Sequence, residues 1–362
     1  MNASDSVAIP PDIKSLLVVR MSAMGDIIHA MPAVAALREV LPKVTIGWVV
    51  EERWAELLSS SRSAGSENIA GWQLVHKIHT VNTKKWRSQL TSSSTRQEIT
   101  KAVKELRAMK YEVAVDFQGL IRSAVLAKLS GAKTIYGFAQ PRERAARIFY
   151  TKHVAARGEH IVEKNLSLAG SMVNRELTVA HSELPSDETA ERDCERWLDE
   201  QKIKKFVILN PGAGWPSKQW PAEHYGRLAK DLGHIGFKPL INAGPGEQEL
   251  ARMVKIASGD TADMVECSIP QLIAFTRHAS LFVGGDTGPM HLAAALGIPV
   301  VAIFGPTNPA RNGPYGTHSI VLRSSSSSTN HSQRAQLDPG LLEISSAEVF
   351  AACQKLLCAG RG

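Results

Sequence analysis

Long apolar runs are missing from this 362-residue chain. The best of them, residues 16–19 and 299–304, are strand-sized, whereas a helix crossing a bilayer needs about 18 or more apolar residues in succession. No spanning helix is expected. Residues 1–11 lack the basic start and apolar stretch of a secretory leader, so a cytoplasmic protein is the expectation. Cysteine is sparse and scattered: Cys194, Cys267, Cys353 and Cys358 form no C-x-x-C pairing of a zinc or redox site, and are read as reduced structural thiols. Glycine is short where a dinucleotide fold would need it, because the first strand-to-helix turn carries Gly25 alone rather than G-x-G-x-x-G. That weakens an NAD-dependent enzyme as a reading. There is also no zinc finger, no aromatic RNA-stacking motif and no basic helix with base-reading spacing, so nucleic acid is not the expected partner.

What is present is ordinary globular composition, with 44% hydrophobic and 21% charged residues. The length exceeds what one core usually serves, so two domains are expected. Charge is unevenly shared. Residues 1–180 hold 25 Lys and Arg against 16 Asp and Glu, and residues 181–362 hold 17 against 19. A basic first half attracts something anionic, such as a phosphorylated glycolipid at a membrane surface.

Strand and helix patterns alternate. Strands are predicted over 15–20, 45–50 and 111–117, and helices after the first turn, over 98–110 and over 119–129. Ile28, Met31, Ala35 and Leu37 or Val40 supply a stripe for the first helix, and Ile99, Val103, Leu106 and Met109 one for the second. The pattern restarts with strands over 206–210, 238–243, 281–284 and 300–304, and helices over 224–233, 248–258, 270–277 and 289–296. Such alternation predicts parallel sheets covered on both faces. The fold class is α/β, with two Rossmann-like doubly wound domains facing across a cleft. Their expected extents are 1–178 and 179–345, followed by a C-terminal helix over 346–362 able to pack back on the first domain. Residues 59–68, 92–94 and the serine-rich 324–336 are expected as surface loops, the last of them mobile.

In open α/β sheets ligands bind beyond the carboxyl ends of strands, which selects the loops to inspect. Asp26 follows the first strand and is either a helix cap or a cleft-facing general base. Lys218 follows a small-residue loop (Asn210-Pro211-Gly212-Ala213-Gly214-Trp215-Pro216-Ser217) and is either solvated or a point charge for a diphosphate. Asp286, Thr287, Gly288, Pro289 and His291 lead into a helix whose N-terminus suits phosphate oxygens. Asp286 there is a cap or a partner for a sugar hydroxyl, and His291 a packed helix histidine rather than a metal ligand. Glu247 follows another strand and is a hydrogen-bond acceptor for ribose or base, or a solvated helix start. Arg142, Arg144 and Arg147, with Lys152 and His153, form one basic cluster. Lys84-Lys85-Trp86-Arg87 forms a second, with a tryptophan suited to a headgroup layer.

Taken together these segments resemble glycosyltransferase family 9, the lipopolysaccharide heptosyltransferases. The resemblance is carried by Arg20-x-Ser22-x-Met24-Gly25-Asp26-Ile27-x-His29-x-x-Pro32, Trp48-Val49-Val50-Glu51-Glu52 and Asp116-x-Gln118-Gly119-Leu120-x-x-Ser123 in the first half. Lys218-x-Trp220-Pro221, Asp286-Thr287-Gly288-x-x-His291 and Phe304-Gly305-Pro306-Thr307-x-Pro309 carry it in the second. It runs from about residue 15 to 309; the N-terminal extension and the serine run depart from it. It implies a GT-B architecture and an inverting glycosyltransferase without metal or cofactor, moving a heptose from ADP-heptose to the Kdo-lipid A inner core. It also implies a cytoplasmic enzyme, peripheral on the inner face of the inner membrane. Its implied site has Asp26 as base and Lys218 as diphosphate partner, with Lys218, Glu247, Asp286, Thr287, Gly288 and His291 for the donor. Ser22, Gln118, Arg142, Arg144 and Arg147 would meet the anionic lipid-linked acceptor. Another nucleotide-sugar transferase of the same fold, or a non-catalytic nucleotide-sugar-binding protein, stands as the alternative.

Overall fold

The computed structural model describes residues 12–59, 74–89, 91–180, 182–329 and 337–359. The N-terminal extension, the loop expected over 59–68 apart from Ser59, and the 330–336 part of the serine-rich segment lie outside the described residues. The chain divides into two compact units, Met1–Glu183 and Leu184–Gly362. The boundary thus falls five residues later than the sequence reading set it.

The first unit is a parallel sheet of β1 (Ser15–Val19), β2 (Thr45–Glu51), β3 (Lys77–Val81), β4 (Val113–Asp116), β5 (Thr134–Phe138) and β6 (Lys152–Val154) in the order β3-β2-β1-β4-β5-β6. Its helices are α1 (Met24–Val40), α2 (Thr83–Ser88), α3 (Ser93–Ala108), α4 (Ile121–Leu129) and α5 (Ile161–Met172). β1 pairs with β2 and β4 and is buried along its whole length, which is why it reads as an unbroken apolar run. α1 is buried nearly all round rather than along one stripe, since it packs on α5 as well as the sheet. Of residues 92–94 only Ser92 lies outside a helix, at the cap position of α3, while Ser93 and Ser94 open it; serine is at home at a helix start.

The second unit repeats the topology. Its strands are β7 (Phe206–Asn210), β8 (Lys238–Asn242), β9 (Asp263–Val265), β10 (Leu281–Gly285), β11 (Val300–Phe304) and β12 (Ser319–Arg323), ordered β12-β11-β10-β7-β8-β9. They are joined and covered by α6 (Glu188–Glu200), α7 (Ala222–His234), α8 (Gln248–Ala257), α9 (Ile269–His278), α10 (Gly288–Ala295), α11 (Pro309–Asn312), α12 (Pro339–Glu343) and α13 (Ser346–Ala359). Alternate side chains of β7 serve opposite faces. Val207 and Leu209 join the core under α7 and α13, while Phe206 and Ile208 join the core under α6 and α9. α13 therefore belongs to the second unit, its Val349, Ala352, Cys353 and Leu357 filling the α7 side of that core. The described part of the serine-rich segment is pinned rather than loose. Ser326 Oγ donates to Glu343, and Ser327 Oγ donates to Asp338 at 2.6 Å.

Among the described residues, no helix is long and apolar enough to cross a membrane. The strands that sequence reading missed are β3, β5, β6, β9 and β12. Two of these, β6 and β9, are only three residues long; β3, β6, β9 and β12 are the sheet edges, and β5 lies beside one.

Candidate active site

In each unit one loop pair sits where the strand order reverses, between β1 and β4 in the first and between β7 and β10 in the second. Loops on either side of that point leave on opposite faces and open a crevice. Asp26 and Gln118 follow the two strands of the first point, and Lys218, Asp286 and Thr287 follow those of the second; Glu247 follows β8, and Arg142, Arg144 and Arg147 follow β5.

In the first unit, Asp26 lies in the opening turn of α1, and its carboxylate accepts the Ala23 amide hydrogen at 3.3 Å. Ala23 holds the cap position itself. The dominant partner of Asp26 is Arg20, whose Nη2 lies 2.6 Å from Asp26 Oδ1. Arg20 was quoted in the opening motif without a role. It is 2% exposed, its Nη1 donates to the Phe117 carbonyl, and its Nε has no partner. Burial lowers its pKa and the Asp26 charge opposes that shift; an arginine remains charged throughout. A buried cation thus fixes a carboxylate that is itself 31% exposed.

Gln118 is buried and its amide is occupied. Oε1 accepts from the Met21 amide at 2.7 Å and the Ser22 amide at 3.4 Å, and Nε2 donates to Ser22 Oγ at 3.3 Å. It ties the loop after β4 to the turn after β1. Below it Asp116, fully buried, accepts from the Gln118 and Gly119 amides, from Ser123 Oγ at 2.8 Å and from the Tyr150 hydroxyl at 2.7 Å. Burial pushes the Asp116 carboxyl up and these four donors pull the other way. Gly119 has φ +70°, and a Cβ there would come to 3.1 Å from the Arg142 amide nitrogen, so any other residue would be both strained and tightly packed. That close approach brings Arg142 Nη1 to 3.7 Å from Asp26 Oδ2. Arg144 and Arg147 are exposed on the 3₁₀ turn Arg144–Phe149 that follows. Arg142 thus approaches the base candidate, Gln118 fixes Ser22 in the turn that leads to it, and Arg144 and Arg147 stand on the next turn. The second basic cluster is different from its reading. Trp86 is buried in the core and donates Nε1–H to Glu98 at 2.9 Å, and Lys85 pairs with Glu98 at 2.6 Å, so no tryptophan is offered to a headgroup layer.

In the second unit, Lys218 Nζ donates to Asp286 Oδ2 at 2.7 Å and to the Asp286 carbonyl at 3.3 Å, joining the loops after β7 and β10. Asp286 Oδ1 meets His291 Nε2 at 3.1 Å. Burial is the largest influence on Asp286 and would raise its pKa, but His291 and Lys218 outweigh it and hold the carboxyl well below the usual carboxylate range. Asp286 does not cap α10; Thr287 occupies that position with no side-chain cap bond, and Pro289 stands in the first turn. The opening amides of a helix lack helical partners, which leaves an anion-seeking end beside Lys218. Trp215, in a role the sequence did not suggest, lies with its ring 4.9 Å from Lys218 Nζ, a cation–π contact. Beneath the site runs a buried polar chain that sequence reading also missed. Asn242 Nδ2 donates to Asn210 Oδ1 at 2.7 Å, and Asn210 Nδ2 donates to the Gly212 carbonyl at 3.0 Å and to Thr287 Oγ1 at 3.4 Å. Its signal in the sequence was the asparagine that ends both β7 and β8. Glu247 is folded back rather than solvated, its Oε2 accepting from the Gly244 amide at 2.9 Å. A Cβ on Gly212 would collide with that carboxylate at 2.0 Å, so Gly212 is what lets Glu247 lie across the loop. Among the described residues, no group of three or more His, Cys, Asp or Glu side chains is placed to hold a metal ion.

The sequence profile described as glycosyltransferase family 9 (heptosyltransferase) matches residues 99–339, well over half of the chain. The chain belongs to glycosyltransferase family 9. It is accordingly a glycosyltransferase, and its two six-stranded parallel sheets are those of the GT-B fold. The matched stretch takes in Lys218, Glu247 and Asp286 and leaves Asp26 outside. Similarity beyond that stretch comes from lipopolysaccharide heptosyltransferase 1 of Pseudomonas aeruginosa, 27% identical over 314 residues, 85% of this chain and 83% of that protein. Among solved structures, a family 9 glycosyl transferase from Veillonella parvula superposes with a TM-score of 0.81 at 21% identity, over 97% of this chain and 99% of that one. The Escherichia coli heptosyltransferase WaaC with ADP-2-deoxy-2-fluoro heptose superposes with a TM-score of 0.72 at 24% identity, over 94% and 99%. At these identities the structural likeness shows the fold alone.

Proposed function

We propose that this family 9 enzyme transfers a heptose from ADP-heptose to the Kdo-lipid A inner core of lipopolysaccharide, with inversion at the anomeric carbon. The similarity to lipopolysaccharide heptosyltransferase 1 supports the acceptor, and the ADP-heptose analogue bound to a protein of the same fold supports the donor. The observation that carries the reading is that the two reversal points hold complementary chemistry. The first has a carboxylate fixed by a buried arginine, and the second has a lysine paired with Asp286 beside the open start of α10.

In this reading Asp26 takes the proton of the acceptor hydroxyl as that oxygen forms its bond to the anomeric carbon. The bond from that carbon to the diphosphate breaks, and ADP departs with the electron pair. Arg20 holds the carboxylate in place for the proton. Lys218 and the first amides of α10 meet the charge gathering on the diphosphate, which needs neither metal nor cofactor, and Glu247 accepts hydrogen bonds from the nucleoside. Fixed donors aimed at developing charge are commonly worth about 10²–10³ in rate each. Ser22, Arg142, Arg144 and Arg147 receive the acceptor's carboxylates and phosphates. An acceptor carried in a bilayer brings the enzyme to a membrane surface from the cytoplasmic side.

The direct test is mass-spectrometric detection of heptose transfer from ADP-heptose to Kdo-lipid A, with other nucleotide sugars as controls. Asp26→Asn should bind ADP as the parent does and lose about 10²–10⁴ in turnover, the usual worth of a general base. Near-normal turnover in that variant removes Asp26 from the role. Equal transfer from an unrelated nucleotide sugar removes heptose.

A further inference from the structure

We infer that the 3₁₀ turn Arg144–Phe149 is the element by which the first unit docks on an anionic lipid surface, with Ile148 entering the headgroup layer. The inference rests on the reading above for its purpose, a lipid-borne acceptor. Ile148 is the most exposed large apolar side chain among the described residues, at 81%; the next, Ile256, is at 60%. Its exposure is not that of a loose end. With three residues per turn, Ala146 and Phe149 share the face turned onto the core, which leaves Arg144, Ala145, Arg147 and Ile148 facing out.

The turn is fastened at both ends. The Glu143 amide donates to the Gly119 carbonyl at 2.9 Å, the Ala146 amide to the Glu143 carbonyl at 2.9 Å and the Tyr150 amide to the Arg147 carbonyl at 3.1 Å. Tyr150 is buried and reaches Asp116. Beside the turn, the exposed Ile121 and Arg122 begin α4, held there by the Ile121 amide donating to Glu143 Oε2 at 2.7 Å. That bond also engages the carboxylate of the turn's only acidic neighbour in the Arg142–Arg147 stretch.

An exposed apolar tip just after Arg142, Arg144 and Arg147 in sequence, with exposed Arg122 on the neighbouring start of α4, matches the chemistry of an anionic bilayer surface: the arginines meet phosphates and the isoleucine leaves water. A second copy of the chain fits less well, because a stable protein interface buries roughly 800 Å² on each side and four arginines would face four arginines across a two-fold axis. The surface adjoins the Arg142–Asp26 contact, so docking there would deliver a lipid-borne sugar to the same edge of the first unit.

The experiment is co-sedimentation of the full chain with phosphatidylcholine vesicles, with and without phosphatidylglycerol and without any acceptor, at low and high salt. The parent should sediment with the anionic vesicles, fail with the neutral ones and be released by salt. Ile148→Ser should weaken partition about tenfold, the worth of burying one such side chain. Arg144→Gln and Arg147→Gln should each weaken it about fivefold. Ile148→Ser should leave turnover on detergent-dispersed acceptor unchanged. Parent-like sedimentation of Ile148→Ser would overturn the inference, as would binding only when acceptor is in the vesicle. A change in light-scattering mass of Ile148→Ser without a change in partition would assign the patch to self-association instead. Vesicle binding without any heptose transfer would count against the reading of the reaction and leave the surface standing.

Discussion

Asp286→Asn tests the most deeply buried lysine–carboxylate pair among the described residues of the second unit. The carboxylate is 7% exposed and holds Lys218 Nζ at 2.7 Å and His291 Nε2 at 3.1 Å. An amide keeps the shape, loses the charge and turns an NH₂ group toward either the ammonium or the ring. Removing one partner of a buried pair costs about 3–5 kcal/mol, because the other charge stays desolvated. Lys218 is 16% exposed and can turn one side to water, so a loss of about 2–3 kcal/mol is expected. Urea denaturation near neutral pH would measure it. Adding Lys218→Met completes a double-mutant cycle, in which the combined loss should fall short of the sum of the single losses by about 1–3 kcal/mol. The pH dependence has a definite sign. Asp286 is held well below the usual carboxylate range in the folded protein. Its contribution is therefore fully present above the unfolded value of about 3.9 and is lost as pH falls through the folded value. The gap between parent and variant should be complete near neutrality and narrow in acid below about pH 4. A coupling of zero, or a gap that persists unchanged into acid, would refute the claim that this pair holds the two loops together.

Two other perturbations probe the first unit. Arg20→Gln should lower turnover on the order of 10²-fold by freeing Asp26, with little change in donor KM, and Arg20→Lys should restore part of it; steady-state kinetics beside thermal melts separates this from unfolding, and equal losses in both variants would deny Arg20 a positioning role. Gly119→Ala must adopt φ +70° and press a Cβ to 3.1 Å from the Arg142 amide nitrogen, so a loss of about 1–2 kcal/mol in urea titration is expected, with weaker use of the acceptor as the Arg142 segment shifts; parent-like stability would show the segment yields without cost.

Much of the fold could be read directly from the chain. The central strands β1, β7, β10 and β11 are buried on both faces and therefore spelled as apolar runs, and the helices between them carry their own starts and stops. The short edge strands escaped because only pairing makes three residues such as Lys152–Val154 or Asp263–Val265 a strand. Trp86 was misjudged for a related reason. Its neighbours in sequence are basic, and only packing of α2 against α3 turns its ring inward.

The order of motifs along the chain determined the family and marked the loops worth inspecting, because turn chemistry and strand composition are local. The partnerships of the charged groups were decided by tertiary structure. Arg20 and Phe117 are far apart in sequence, as are Lys218 and Asp286, yet strand order makes their loops neighbours at the two reversal points. A motif states which groups are present. Which carboxylate is pinned by a buried arginine, and which is shared between a lysine and a histidine, depends on where parallel strands lie side by side and how far water is kept from the charges between them.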